Sequence, residues 1–134
     1  MTQSSAPSKT PTIVHWVVVV LLFLMIAQPT FDNLRALTSG AMVMGDVTID
    51  VTFTQMALHV LAMVIGWVGF VLFVQRRKLG AYITIAAHTL GLIATATQTP
   101  EMFEVVPPAA IGVFFVILLA ITLGPTQAFK DAYR

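Results

Sequence analysis

The sequence predicts an all-α integral membrane protein whose four transmembrane helices form an antiparallel bundle with short connections. Three observations predict it: 57% of the 134 residues are hydrophobic, only 10% are charged, and polar segments separate the chain into four long apolar runs. Soluble domains carry about 25% charged residues, so lipid is the expected solvent for most of this chain. We expect a transmembrane domain at 13–125 between a disordered cytoplasmic tail at 1–12 and a cytoplasmic tail at 126–134.

The first span is predicted at 13–29, where an apolar run interrupted only by His15 follows the polar tail and ends at Gln28–Pro29. A secretory signal peptide is the alternative interpretation, since Lys9 precedes an apolar run of suitable length. Residues 25–27, however, do not form the small-x-small pattern of a cleavage site. We therefore expect the run to remain as a membrane helix.

The connection after the first span is expected to begin with a short interfacial helix that ends near Gly40. One side of this helix would be apolar, with Phe31, Leu34 and Leu37 dipping into the membrane surface. Residues 47–52 alternate in the manner of a strand. Because no partner strand is evident, we expect an extended segment that leads into the second span.

A helical hairpin forms the centre of the predicted bundle, with spans at 52–75 and 80–98. Residues 54–74 and 80–98 contain no Asp, Glu, Lys or Arg. About twenty helical residues at about 1.5 Å each cross the roughly 30 Å hydrocarbon core of a bilayer. The turn between the spans carries the topology determinants, three successive cations: Arg76, Arg77 and Lys78.

The fourth span is predicted at 108–124. It opens after the helix-breaking pair Pro107–Pro108 and ends at Gly124–Pro125. The preceding segment, 100–105, is expected to lie at the membrane surface.

The formal charges predict the orientation. They alternate along the chain: +1 in the first tail, −2 in the first loop, +3 in the hairpin turn, −2 in the next loop and +1 in the last tail. Cationic short loops stay in the cytoplasm, so we expect both termini there. Small size and compact loops favour the bacterial inner membrane.

A seam of small and polar residues runs along facing sides of the second and third spans, at helical spacings of three and four. Such residues let antiparallel helices approach closely and hydrogen-bond across their contact. The simplest interpretation is therefore a helix-packing seam. Its members are Gln55, His59, Ala62, Gly66, Gly69 and Phe73 on the second span, and Thr84, His88, Gly91, Thr95 and Gln98 on the third.

The alternative interpretation concerns His59 and His88, because ionisable residues inside a membrane often mark functional sites. Imidazole ligates haem iron, and it also hydrogen-bonds quinones and other small ligands. The two histidines differ in depth by six residues, about 9 Å, which argues against both ligating one haem b. His15, beside Trp16, is expected to be an anchor at the membrane interface.

Several functions are excluded. The chain has no Cys, and we find no nucleophile elbow, zinc-binding His-Glu-x-x-His, phosphate loop or dinucleotide fingerprint. No catalytic residue and no metal site are therefore predicted. A net charge of +1 predicts no nucleic-acid partner, and the absence of carboxylates from the spans argues against proton-coupled export.

Two functional hypotheses remain. The first is a non-enzymatic accessory, assembly or interaction subunit in the lipid bilayer, with a membrane-protein partner or a second copy of the chain on its small-residue faces. The second is a membrane redox or ligand-binding protein that holds haem, a quinone or another small ligand through His88 and His59.

Overall fold

The computed structural model describes residues 9–104, 107–124 and 127–134, and these ranges confirm the all-α class. They contain α1 (Thr10–Ser39), β1 (Ala41–Met44), β2 (Val47–Asp50), α2 (Phe53–Val74), α3 (Lys78–Gln98), a 3₁₀ helix (Pro100–Glu104), α4 (Pro108–Leu123) and α5 (Gln127–Ala132). By length and composition α1, α2 and α3 can each cross a membrane, whereas α4 is apolar but shorter. The chain is thus compatible with a multi-pass membrane protein.

Helix α1 is longer than the sequence suggests. It continues through Pro29 as far as Ser39, and Gly40 ends it in a left-handed conformation with φ 74°. The separate interfacial helix expected after Pro29 is therefore wrong, because proline removes one backbone hydrogen bond without ending the helix here. At its other end α1 begins at Thr10, inside the predicted disordered tail, and residues 1–8 lie outside the described ranges.

The loop after α1 is a β-hairpin. Strand β1 pairs antiparallel with β2 from Ala41 opposite Asp50 to Met44 opposite Val47, which leaves a two-residue turn at Gly45–Asp46. Gly45 has a φ of 60°, a conformation that glycine adopts readily. The expectation of an unpaired extended segment is wrong, because the residues just after Gly40 supply the partner strand.

Helices α2 and α3 form the closest helix pair, joined by a tight turn in which Arg76 has a φ of 59°. A Cβ added to Gly69 would lie 2.6 Å from Oγ1 of Thr84, and a Cβ added to Gly80 would collide with the backbone of Leu72 and Phe73. Near the turn, the two helices are therefore in contact almost backbone to backbone.

The residues after α5 pack against the start of α1 and the α2–α3 turn. The N–H of Lys78 donates to the carbonyl of Arg134 (2.7 Å), and the N–H of Arg134 donates to the carbonyl of Arg76 (2.8 Å). The Tyr133 ring is only 2% exposed, and its hydroxyl is hydrogen-bonded to Nδ1 of His15 at 2.8 Å. His15 is itself fully buried, so the expectation of an interface anchor is wrong: Tyr133 covers it.

Apolar side chains form two clusters at opposite ends of the molecule. The first contains Leu22, Phe73, Leu118 and Tyr133, and lies at the end with the α2–α3 turn. The second surrounds the β-hairpin and joins Ala36, Met42, Val51, Met56 and Met102.

Burial of the Tyr133 ring gives a testable pH dependence. Burial raises the pKa of Tyr133 to about 12, although nearby Arg76 opposes the shift. Because the unfolded chain ionises near pH 10, the folded state loses up to roughly 2 kcal/mol as the pH rises from 10 through 12. Alkaline titration followed by phenolate absorbance should show a component near pH 12.

The variant Tyr133→Phe should lack that component. The chain has one other tyrosine, Tyr82, which is 44% exposed, so the two phenols are separable. If both tyrosines of the unmodified protein ionise near pH 10, and Tyr133→Phe lowers only the amplitude of that single component, the burial of this ring is contradicted.

Candidate ligand-binding cavity

A cavity of about 190 Å³, partly open to the outside, lies between the two apolar clusters. Residues of α1, α2 and α3 form most of its wall, and β1, the 3₁₀ helix and α4 contribute Met42, Met102, Phe103 and Ile111. For comparison, an apolar cavity of about 150 Å³ binds benzene. The space is therefore large enough for one six-membered ring.

Two buried polar side chains line the cavity without protein partners. His59 is 9% exposed and Asn33 is 6% exposed. Nε2 of His59 and Oδ1 of Asn33 are both fully buried, and neither has a hydrogen bond to any residue that the structure describes. A buried polar atom left in this state costs about 1–3 kcal/mol, so its presence calls for a partner.

His88 also lines the cavity, on α3. Its Nδ1 lies 2.9 Å from the backbone carbonyl of Thr84. A carbonyl oxygen can only accept, so Nδ1 of the neutral ring carries the proton and Nε2 presents a lone pair. Among the described residues Nε2 has no hydrogen-bonding partner. The edge of Phe115 also contacts this imidazole ring, with the ring centroids 6.1 Å apart.

The apolar part of the wall is rich in methionine: Met25, Met42, Met63 and Met102. Methionine side chains are flexible, and their sulfur atoms make favourable contacts with aromatic rings. The wall can therefore adjust its shape to a guest, and it suits an aromatic one.

The register of α2 against α3 places the two histidines at different levels. A Cβ added to Gly66 would lie 3.8 Å from the Cβ of Ala87, and a Cβ added to Gly91 would lie 3.9 Å from the Cβ of Ala62. Both pairs belong to the same antiparallel register. In that register His59 lies opposite Ala94, six residues beyond His88. At about 1.5 Å per residue this separates the two α-carbon levels by about 9 Å.

A haem or a metal ion bound by both histidines does not fit this arrangement. A haem macrocycle is several times larger than benzene, which a protein cavity of about 150 Å³ can hold. The α-carbons of His59 and His88 differ by about 9 Å in their level along the helix axes, so the two imidazoles are not placed to bind the same metal ion. In the described part of the chain, no three His, Cys, Asp or Glu side chains are grouped as a metal site would require.

The structure brings together most of the predicted seam. Ala62, Gly66 and Gly69 are buried against α3, and Thr84 is buried against α2. Gly91 and Thr95 line the cavity. Gln55 does not belong to this face: it is exposed and forms a capping box with Thr52 at the start of α2. Oε1 of Gln98 is buried and without a partner among the described residues.

Sequence reasoning missed Asn33 and Met42 as cavity residues. Asn33 follows Ile26 and Pro29 at helical spacings of three and four. A helix predicted to continue past Pro29 would therefore have placed Asn33 on the same face as these two residues. The dipeptide Gly45–Asp46 is a typical two-residue hairpin turn, and it was the available signal for Met42 on a paired strand.

Comparison with known proteins finds no matching family model, no matching curated protein and no matching solved structure. The functional argument therefore depends on the geometry of this cavity.

Proposed function

We propose that this chain is a multi-pass membrane protein that binds a small, largely apolar molecule in the cavity, with His59, Asn33 and His88 as hydrogen-bonding groups. The observation that carries the proposal is the pair of buried, unpartnered atoms in the cavity wall, Nε2 of His59 and Oδ1 of Asn33. Binding sites combine an apolar wall with a few polar groups in this way.

The energetics favour a ligand over simple helix packing. Two unpartnered buried atoms at about 1–3 kcal/mol each are a substantial cost against a typical stability of about 5–15 kcal/mol. Other buried atoms also lack partners among the described residues, Oγ1 of Thr84 in the α2–α3 contact among them, so it is the position of His59 and Asn33 in the cavity wall that favours a ligand. A bound molecule recovers that cost if neighbouring side chains shift so that it reaches these atoms, which the wall covers in this structure.

The accessory or assembly role inferred from the small-residue seam stays a prediction. Gly66 and Gly69 of α2 face α3 of the same chain, as Gly91 faces α2. These small residues are thus already used within the molecule, which leaves less reason to assign them to a partner protein.

For the membrane topology, we propose four crossings in the bacterial inner membrane with both termini cytoplasmic. The guanidinium of Arg76 donates to Oγ1 of Thr12 at 3.3 Å, and the backbone of Arg134 bonds to the α2–α3 turn. The start of α1, this turn and the end of α5 therefore share one face of the molecule, as an even number of crossings requires. That face carries Lys9, Arg76, Arg77, Lys78, Lys130 and Arg134, in agreement with the positive-inside rule.

The proposed function can be tested by filling the cavity. Gly66 has open space beside it, because an added Cβ would meet only the Ala87 side chain at 3.8 Å. A leucine at this position takes up space in the cavity and should abolish binding of phenol and of toluene, measured by isothermal titration calorimetry on detergent-solubilised protein. Because Gly66 also faces α3, the variant counts only if its circular dichroism spectrum and melting temperature match those of the unmodified protein.

The matched control is Val64→Leu, on the same helix but 52% exposed. It should bind both probes like the unmodified protein. If the unmodified protein takes up neither probe beyond the level seen with Gly66→Leu, the proposed function is wrong.

A further inference from the structure

We infer that the cavity selects a hydroxylated aromatic ring, whose O–H donates to Nε2 of His88. This inference rests on the proposed function and names the chemical class of its ligand. Phenols and the reduced, hydroquinone form of a quinone belong to the class. Unsubstituted arenes, aryl ethers and oxidised quinones, which have no O–H, do not.

The donor requirement follows from the tautomer of His88. The carbonyl of Thr84 holds the Nδ1 proton at 2.9 Å, so Nε2 of the neutral ring can only accept. This bond links a side chain to the backbone four residues earlier on the same helix, so the imidazole is oriented before any ligand arrives. A ligand that meets this atom must bring the hydrogen.

The requirement for a ring follows from the size and lining of the cavity. The volume of this cavity, about 190 Å³, is only slightly larger than the volume of about 150 Å³ of a protein cavity that binds benzene. The four methionines of the wall offer sulfur contacts to an aromatic face, and Phe103 adds an aromatic side chain. His59 on α2 and Asn33 on α1 line the same cavity.

The experiment compares phenol with toluene, which has a methyl group in place of the hydroxyl. Affinities are measured calorimetrically in one detergent, and the Gly66→Leu protein serves as the blank for uptake by the micelle. The variant His88→Leu keeps a similar side-chain volume but removes the acceptor. We expect it to weaken phenol binding about three- to tenfold, the effect of one hydrogen bond, and to change toluene binding less than about twofold.

A second measurement does not depend on a variant. In the ¹⁵N spectrum of histidine-labelled protein, the His88 signals should report a protonated Nδ1 and a bare Nε2, and phenol but not toluene should shift the Nε2 signal.

The outcomes separate the inference from the proposed function. If His88→Leu weakens both probes equally, or if Nε2 carries the proton, the hydroxyl-selective inference is overturned while the cavity remains a binding site. If neither probe binds the unmodified protein beyond the blank, the proposed function fails and the inference fails with it.

Discussion

Gly80→Ala should destabilise the α2–α3 hairpin by more than about 3 kcal/mol, at the upper end of what overpacking costs. An alanine Cβ would overlap backbone atoms of Leu72 and Phe73, including a contact of 2.7 Å to the Phe73 Cα. Backbone atoms inside a helix cannot move aside as a flexible side chain can. The helices would have to separate, and Phe73 and Tyr133 would lose their packing at that end.

The measurement is the unfolding free energy in mixed micelles, with helicity followed by circular dichroism. Gly91→Ala is the matched control, since it makes the same substitution in the same helix but meets only the Ala62 side chain at 3.9 Å. It should be neutral or slightly stabilising, because alanine favours helix more than glycine does. Similar losses in the two variants would show that the close approach at Gly80 is not real.

His59→Leu should raise the stability of the ligand-free protein by about 1 kcal/mol and weaken, about three- to tenfold, the binding of a ring that carries a second hydroxyl group. Leucine has no polar atom, so it eliminates the unpartnered Nε2 of a side chain that is only 9% exposed. The opposed changes in stability and binding are expected where a residue is kept for function.

His15→Leu is the matched control, because His15 is also buried with an unpartnered Nε2, while its Nδ1 is bonded to the Tyr133 hydroxyl at 2.8 Å. Leucine removes that Nε2 but leaves the Tyr133 hydroxyl buried without a partner, so the two effects oppose each other and stability should change by less than about 1 kcal/mol while binding is retained. The measurement is thermal melting of both variants without ligand. A His59→Leu protein no more stable than His15→Leu would refute a ligand-directed role for His59.

The parts of the fold that depend on long periodic patterns could be predicted from the sequence. Apolar runs without charges indicated the long helices, and spacings of three and four placed Ala62, Gly66 and Gly69 on one face of α2. Small residues at such spacing favour close helix contact in any apolar solvent, so no knowledge of the rest of the chain was needed.

The features that depend on distant partners could not be predicted in this way. Pro29 has the properties of a helix breaker, and only the packing of α1 shows that the helix continues. Tyr133 lies in the segment predicted as a cytoplasmic tail, and it is buried because its ring packs against His15 and Phe73, which are far away in sequence. The cavity itself combines residues of separate elements, which no local pattern relates.

The unequal spacing along the α2–α3 pair has a consequence for how a molecule reaches the cavity. The helices touch at backbone distance at Gly69 and Gly80, but are held only by side-chain contacts at Gly66 and Gly91. The pair is therefore held most tightly beside the α2–α3 turn and more loosely toward the other end, where the second apolar cluster, with Met56 and Met102, closes it. In the proposed orientation that end faces the periplasm, so a guest that enters from outside the cytoplasm would have to displace side chains of this cluster and not the helix pair itself.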